Sequence, residues 1–172
     1  MTASKIICSL VIVITCTLLG MQKARKLSDR EYILREFVSF LNSVKNEIKY
    51  MLTILPNAYE VARIPLKTKL KDAIGAISLD MLNDGRSLVV EASINKNISE
   101  ISELESYDKT LITSTLKNLG MTNVEGQINI IENTIKNIES QINEAVYIKN
   151  KNSRMYRTIG ALCGIMIVVV FI

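Results

Sequence analysis

Apolar residues are concentrated at the two ends of the chain. Residues 6–21 and 158–172 contain no charged side chain, whereas residues 22–157 contain both apolar and polar positions throughout. As a helix the first segment covers about 24 Å, close to the ~30 Å hydrocarbon core of a bilayer. Lys5 and Arg157 can lengthen the spans by reaching outward to the interface. The pattern predicts transmembrane segments at residues 1–21 and 158–172 around a polar domain of residues 22–157.

The N-terminal segment has other interpretations, and the sequence argues against them. A cleaved signal peptide requires small residues at a cleavage site, and no such pattern follows the apolar run. A lipoprotein signal would use Cys16, but the apolar run continues past it. A buried core helix would not explain the basic flank. We therefore expect a retained membrane helix.

The charges beside the apolar segments predict the orientation of the chain. Basic side chains cluster on the inner flank of each segment: Lys23, Arg25, Lys26 and Arg30 after the first, and Lys149, Lys151, Arg154 and Arg157 before the last. The positive-inside rule then places the polar domain in the cytoplasm and both termini outside. This basic collar suits anionic lipid headgroups and lacks the interleaved aromatic residues of a nucleic-acid site.

The polar domain is predicted to be helical throughout. Apolar residues recur every three or four positions, as on one face of a helix. The first face comprises Leu34, Phe37, Leu41, Val44, Ile48 and then Met51 or Leu52. The face of the third helix comprises Leu66, Leu70, Ile74, Ile77 and Met81. We expect an all-α fold: an antiparallel bundle of about five to six helices between the two membrane helices.

Capping and breaking residues predict the helix boundaries. A Ser28–Glu31 capping box would open the first helix, and Pro56 and Pro65 would bound a short second one. A left-handed Gly85 would end the third helix and Ser87 would cap the fourth. The fifth would run from about Ser102 to Leu119 and end at Gly120. A Thr122–Glu125 capping box would start a last helix that continues unbroken to the end of the chain.

The last helix carries a ladder of isoleucines with two interpretations. These are Ile128, Ile131, Ile135, Ile138 and Ile142. The ladder could form a self-associating coiled coil, but it is shorter than the three to four heptads that define one. We favour a seam along which the helix packs within its own bundle.

The residue inventory offers no catalytic chemistry. The chain has no histidine, and its three cysteines lie in the apolar ends, so no metal site is predicted. No phosphate-binding loop occurs, and no cofactor is expected. Two S-x-x-K patterns, at Ser93 and Ser106, lack the companion motifs of a serine–lysine hydrolase. We expect a protein that is not an enzyme.

Two further features are candidates for protein contacts. An acidic cluster, Glu100, Glu103, Glu105 and Asp108, is either a solvated face or a docking patch for a basic partner. A GxxxG motif at Gly160 and Gly164, with a small-residue counterpart at Cys16 and Gly20, would allow close helix packing in a membrane.

The order of several short motifs resembles the stage III sporulation protein AB family. The segment from Glu47 to Ala58 resembles its E-I-x-Y-x-x-T-x-L-P-x-A stretch, which includes Tyr50, Thr53, Leu55 and Pro56. Leu82–Gly85 resembles its L-x-x-G turn, and Leu119–Gly120 with Gln127 its late L-G…Q element. Tyr156–Arg157, with the two GxxxG glycines, resembles its last membrane entry.

The resemblance implies a function as well as a fold. The family's cytoplasmic domain is similar to those of type II secretion F proteins and type IV pilus platform proteins, which carry two copies where this chain has one. It implies a platform in a secretion-like complex between mother cell and forespore, in the mother-cell membrane. The expected partners are a secretion-type ATPase, stage III sporulation protein AA, and other envelope-complex membrane proteins.

An alternative function of a different class is a self-associating membrane scaffold or sensor. It would act as a homo-oligomer through the isoleucine ladder and the GxxxG motif. For the platform interpretation, the expected contact residues are those of the Glu47–Pro56 stretch and of the acidic cluster.

Overall fold

The computed structural model describes the backbone of residues 2–171 and the side chains of residues 28–152. It also describes a few side chains nearer the ends: Thr15, Leu18, Gln22, Arg25, Lys26, Met155, Thr158, Ile159 and Leu162. Within these residues all regular structure is helical. This confirms the all-α prediction.

The described chain contains six α-helices and one π-helical turn. The helices are α1 (Thr2–Asn46), α2 (Leu55–Arg63), α3 (Lys69–Asn83), α4 (Ser87–Ser99), α5 (Ser106–Asn118) and α6 (Val124–Phe171). The π-helical turn, here called the π turn, is Glu47–Met51 and follows α1 directly. As predicted, the last helix is unbroken.

The helices divide between two compact units. The terminal unit comprises Met1–Glu31 and Asn143–Ile172, and the central unit comprises Tyr32–Ile142. In the terminal unit, the Lys149 ammonium group forms an ion pair with the Glu31 carboxylate. In the central unit, α2 packs on α3, α3 on α4, and α4 on α5. Short connections between neighbours of this kind reverse the chain direction at each step.

The predicted apolar faces form the core of the central unit. On α1 the face is Leu34, Phe37, Leu41 and Val44, and on α3 it is Leu70, Ile74 and Ile77; all are fully buried. From the isoleucine ladder, Ile131, Ile138 and Ile142 are buried as well. The ladder is therefore a packing seam inside one chain, as the favoured interpretation required.

A buried carboxylate attaches the α2–α3 connection to α1. Glu36 is only 8 % exposed, yet its carboxylate accepts three hydrogen bonds. The Lys67 amide donates at 2.7 Å, the Thr68 amide at 3.1 Å and the Thr68 hydroxyl at 2.6 Å. Thr68 in turn caps α3, since its hydroxyl oxygen accepts the Leu70 amide. One glutamate therefore holds the residues from which α3 begins.

Several predicted helix boundaries were wrong. Ser28 and Glu31 lie inside α1, because the preceding segment is itself helical and leaves no terminus to cap. At α6 the capping oxygen belongs to Asn123, which accepts the Gly126 amide at 2.9 Å, one residue later than predicted. Ser87 is the first residue of α4 and not its cap.

The turns around Gly85 and Gly120 also differ. Gly85 does not take the predicted left-handed conformation, because α3 ends through Asp84, whose φ of −146° and ψ of 82° already turn the chain. Gly120 has a φ of 89° and ends the α5 segment as expected. Helix α5 begins at Ser106 rather than near Ser102, since a capping box formed by Glu105 and Asp108 sets its start.

The prediction of two membrane helices can be compared with the described residues. Among them, no helix combines the length and the apolarity needed to cross a bilayer. Most side chains of the predicted segments, residues 1–21 and 158–172, lie outside the described part of the chain. The two transmembrane helices therefore stay a prediction.

Replacing Glu36 by alanine should strongly destabilise the chain. The change leaves two amides and one hydroxyl of the α2–α3 connection without their acceptor, which costs about 2–4 kcal/mol. Urea unfolding followed by circular dichroism measures the loss. Glu139, an exposed glutamate on α6, is the matched control, and Glu139→Ala should change the free energy of unfolding little. Equal effects of the two substitutions would contradict the role given to Glu36.

Tyr59 on α2 contributes an apolar ring and an unsatisfied hydroxyl to the core. Its ring contacts that of Phe40 edge to face at 5.2 Å. Its hydroxyl is fully buried and finds no hydrogen-bond partner among the described residues. Burial raises the pKa of this phenol well above its ordinary value of 10.0, because the charged form would lose its hydration.

Tyr59→Phe should stabilise the chain by about 1 kcal/mol at neutral pH, since it removes an unpaired buried hydroxyl. Above pH 10 the difference should grow: in the unchanged chain the phenol of the unfolded state ionises first, so stability falls as the pH rises. Urea titrations of both chains on either side of this pH measure the effect. A destabilised Tyr59→Phe variant would show that the hydroxyl has a partner.

Candidate interaction surface at the loop end of the central unit

The chain leaves α1 through an ordered but unusual turn. After the π turn, Leu52 adopts a left-handed conformation with φ 53° and ψ 31°, and its amide donates to the Glu47 carbonyl. The Thr53 amide donates to the same carbonyl at 3.2 Å, and the Thr53 hydroxyl donates to the Glu47 carboxylate at 2.9 Å. Glu47 therefore holds the turn with both its backbone and its side chain.

The π turn changes which side chains face the core. Ile48 stays buried at 4 % exposure, but Met51 and Leu52 are 71 % and 75 % exposed. The prediction that one of them continues the apolar face of α1 was wrong. The extra residue in the turn rotates the following positions away from the core. A pattern with a period of 3.6 does not reveal this change of register.

Three connections of the central unit meet at one end, which we call the distal end. They are residues 47–54, 84–86 and 119–123. A methyl group built on Gly120 would lie 3.1 Å from a side-chain methyl of Leu55, so the third connection is in close contact with the start of α2. The Ser78 hydroxyl donates to the Pro56 carbonyl at 2.9 Å and links α3 to the start of α2. The other two connections lie at the opposite, proximal end, where Lys69 and Glu103 pair at 2.7 Å.

A cavity of about 460 Å³ opens at the distal end, between the ends of α2, α3, α4 and α5. Leu55 and Pro56 line it from the start of α2, Met81 and Gly85 from the end of α3 and the connection after it, and Leu119, Gly120 and Met121 from the connection after α5. Its wall also includes Val90, Ile94 and Leu116 from α4 and α5. The lining is mainly apolar, and its volume is that of a pocket for one or two large side chains.

Exposed apolar side chains lie at the same end of the central unit as this cavity. In the first connection Tyr50, Met51, Leu52 and Ile54 are all more than 60 % exposed. Leu82, Leu88, Met121 and Val124 add to them from the other connections. We call residues 50–55, 82–88 and 119–124 together the distal surface. A group of exposed apolar side chains of this kind marks an interaction site, whereas single exposed apolar residues are common on any protein surface.

The predicted contact residues of the Glu47–Pro56 stretch all lie at the distal end, but their structural roles differ. Tyr50 is exposed, with the Lys49 ammonium group 5.2 Å from its ring centroid. Leu55 and Pro56 line the cavity. Glu47 and Thr53 bind each other and shape the turn. Whether any of these residues contacts a partner stays a prediction.

The structure places the predicted acidic cluster at the proximal end and gives most of its members local roles. The Asp108 carboxylate is buried and accepts the Glu105 amide at 3.1 Å, and Glu105 completes the same cap. Glu103 pairs with Lys69, and this hydrogen bond lowers the pKa of its carboxyl group. Glu100 is exposed. The cluster is therefore mainly part of the α4–α5 connection, and its predicted docking role stays a prediction.

The remaining predicted positions are not assembled into a site. The surroundings of Cys16, Gly20, Gly160 and Gly164 lie outside the described residues, so the GxxxG pairing stays a prediction. In the two S-x-x-K patterns the serine and lysine are not joined. Ser93 accepts from Asn97 at 3.2 Å, and the Lys109 ammonium group donates to the Ser99 carbonyl at 2.7 Å.

The described residues thus define an all-helical protein with an apolar surface at the loop end of its bundle. The family model of stage III sporulation protein AB matches residues 5–172, and the chain therefore belongs to this family. Membership associates the chain with sporulation. No curated protein and no solved structure matches it.

Segments that carry the family resemblance, far apart in sequence, meet at the distal end. Leu55, Pro56, Gly85, Leu119 and Gly120 all belong to these motifs and all line the cavity. Sequence reasoning found the motifs but not their meeting point, because only the alternating helix directions bring them together. It also did not identify Leu52 and Met121 as exposed residues of the distal surface. The nearby family motifs were the one signal that could have suggested them.

Gly120→Ala should destabilise the chain by about 1–2 kcal/mol, because a side chain strains a backbone with φ 89°. The new methyl group would also press on Leu55. Gly85→Ala is the matched control: Gly85 lies in the same surface, has no positive φ and offers ordinary contact distances. Thermal unfolding of both variants measures the difference. A larger loss for Gly85→Ala would contradict the assigned backbone roles.

Proposed function

We propose that this chain is a non-enzymatic platform component of a secretion-like complex needed for sporulation. It is anchored in the mother-cell membrane around the forespore by its two apolar ends. Its central unit lies in the cytoplasm and docks a secretion-type ATPase, stage III sporulation protein AA, through the distal surface. Other membrane proteins of the envelope complex contact the anchors.

The observation that carries this proposal is the position of the family motifs. Their residues converge on the cavity at the distal end, where Tyr50, Met51, Leu52 and Ile54 are also exposed. An apolar surface with a shaped cavity is the usual form of a docking site. A structural role alone would not need Tyr50, Met51 and Ile54 to stand in solvent.

The topology of the central unit supports a partner from the aqueous side. Within this unit, α1 enters at Tyr32 and ends at the distal connections, and α6 starts there and leaves at Ile142. The chain therefore enters and leaves the unit at the end opposite the distal surface.

The alternative of a self-associating scaffold has less support. Its isoleucine ladder is engaged inside the chain, with Ile131 and Ile138 fully buried. Helix α6 also makes a buried hydroxyl contact with α5, in which Thr115 and Thr134 oxygens are 3.0 Å apart. A self-associating ladder would have to leave this seam. We therefore place the docking role first.

Co-purification tests the proposal. Tagged full-length protein, extracted in mild detergent from cells early in sporulation, should recover stage III sporulation protein AA, quantified by mass spectrometry. Cells expressing an untagged chain provide the background. Recovery of the tagged protein alone, as a discrete homo-oligomer, would instead support the scaffold alternative.

Charge reversal at Glu100 separates the two predicted contact regions. Glu100 is exposed, and reversing its charge breaks neither the Lys69–Glu103 ion pair nor the α5 capping box, as reversal at Glu103 or Glu105 would. Because docking is assigned to the distal surface, Glu100→Lys should leave recovery of the ATPase unchanged. A clear loss of recovery would move the docking site to the acidic cluster.

A further inference from the structure

Leucine is an unfavourable residue at position 52, because of both the backbone conformation and the exposure of the side chain. Among the described residues Leu52 is the one non-glycine with a positive φ, at 53°. Glycine or asparagine is the usual residue in this conformation. Its side chain is also 75 % exposed, so burial does not compensate for the strain. Local strain combined with an exposed apolar side chain is typical of a functional position.

The strained residue is held in place by its own turn. The Glu47 carbonyl accepts the amides of both Leu52 and Thr53, and the Glu47 carboxylate accepts the Thr53 hydroxyl. These bonds close the loop around Leu52. Met51 and Ile54, on either side, are 71 % and 62 % exposed. The turn therefore presents three adjacent apolar side chains to solvent on a fixed backbone.

We propose that Leu52 is the anchor of the distal surface, inserted into an apolar pocket of a partner protein whose rim is basic. Met51 and Ile54 surround the anchor and exclude water. This assignment rests on the proposed docking function and names the residue on which that docking depends. An anchor on a pre-formed turn binds without a further ordering cost, which explains why strain is tolerated at this position.

Charge indicates the kind of partner. The distal surface itself carries one acidic and one basic side chain, Asp84 and Arg86. The residues that flank it, 47–49, 80–81, 89–91, 117–118 and 125, carry four acidic and two basic side chains. Two of the basic groups are neutralised locally, in the pairs Arg86–Asp84 and Lys117–Glu91. The third, Lys49, lies over the Tyr50 ring. The net acidic character favours a basic rim on the partner and disfavours a second copy of this chain, which would bring the same charge.

The test compares two exposed apolar residues at opposite ends of the central unit. Leu52→Asn keeps a residue that tolerates the left-handed conformation but removes the apolar side chain. Ile64→Asn is the matched control, because Ile64 is 68 % exposed in the α2–α3 connection with a φ of −53°. Full-length chains in detergent are titrated with purified stage III sporulation protein AA, and their melting temperatures are measured in parallel.

We expect Leu52→Asn to weaken binding by at least about tenfold while its melting temperature stays equal or rises by about 2 °C. Ile64→Asn should bind as the unchanged chain does. The association rate should fall as salt is raised, since attraction between acidic and basic surfaces is screened. Loss of binding without loss of stability is a result that a merely structural Leu52 would not give.

Other results would overturn the inference in distinguishable ways. Binding of Leu52→Asn within twofold of the unchanged chain would remove the anchor but leave the docking function standing. No binding by the unchanged chain would overturn the docking function and the anchor with it. A dimer of the unchanged chain that Leu52→Asn abolishes, seen by sedimentation, would replace the proposed partner with a second copy.

Discussion

The buried carboxylate of Glu36 determines how the central unit closes. Helix α2 has only nine residues, and the connection after it must reverse the chain before α3 begins. Glu36 supplies the acceptor for the Lys67 and Thr68 amides and the Thr68 hydroxyl at this reversal, so the connection is fixed to α1. The position of α2 decides where Leu55 and Pro56 lie. The cavity at the distal end therefore depends on a contact at the other end of a short helix.

The distal surface combines features that folding alone does not favour. A left-handed Leu52, exposed apolar neighbours and an open cavity each reduce stability or solubility. They occur together in a unit whose core is otherwise well filled, with Phe37, Phe40 and Tyr59 in ring contact. A rigid core can support a strained surface element, because the strain is small beside the apolar burial beneath it. The proposed docking function would require this division between a stable bundle and an unfavourable end.

Helix identity was predictable from the sequence, but helix boundaries were less so. Apolar spacing predicted the buried faces of α1, α3 and α6, since a period of 3.6 is imposed by helix geometry itself. Capping patterns gave errors at Ser28 and Thr122, because the same side chains occur inside helices as well as at their ends. The π turn was not foreseen. Its extra residue follows from how Glu47 and Thr53 bond to each other, a local choice that apolar spacing does not encode.

The sequence by itself determined the helical class, the core faces, the absence of a recognisable catalytic motif and the family. These follow from periodicity, residue inventory and motif order, which are properties of the chain before it folds. Only the tertiary structure decided that the segments around Pro56, Gly85 and Gly120 share one cavity, and that Leu52 points outward. It also showed that most of the acidic cluster serves a helix cap and an ion pair. The physical reason is that proximity between distant segments depends on the directions in which the helices pack, and no local pattern specifies those directions.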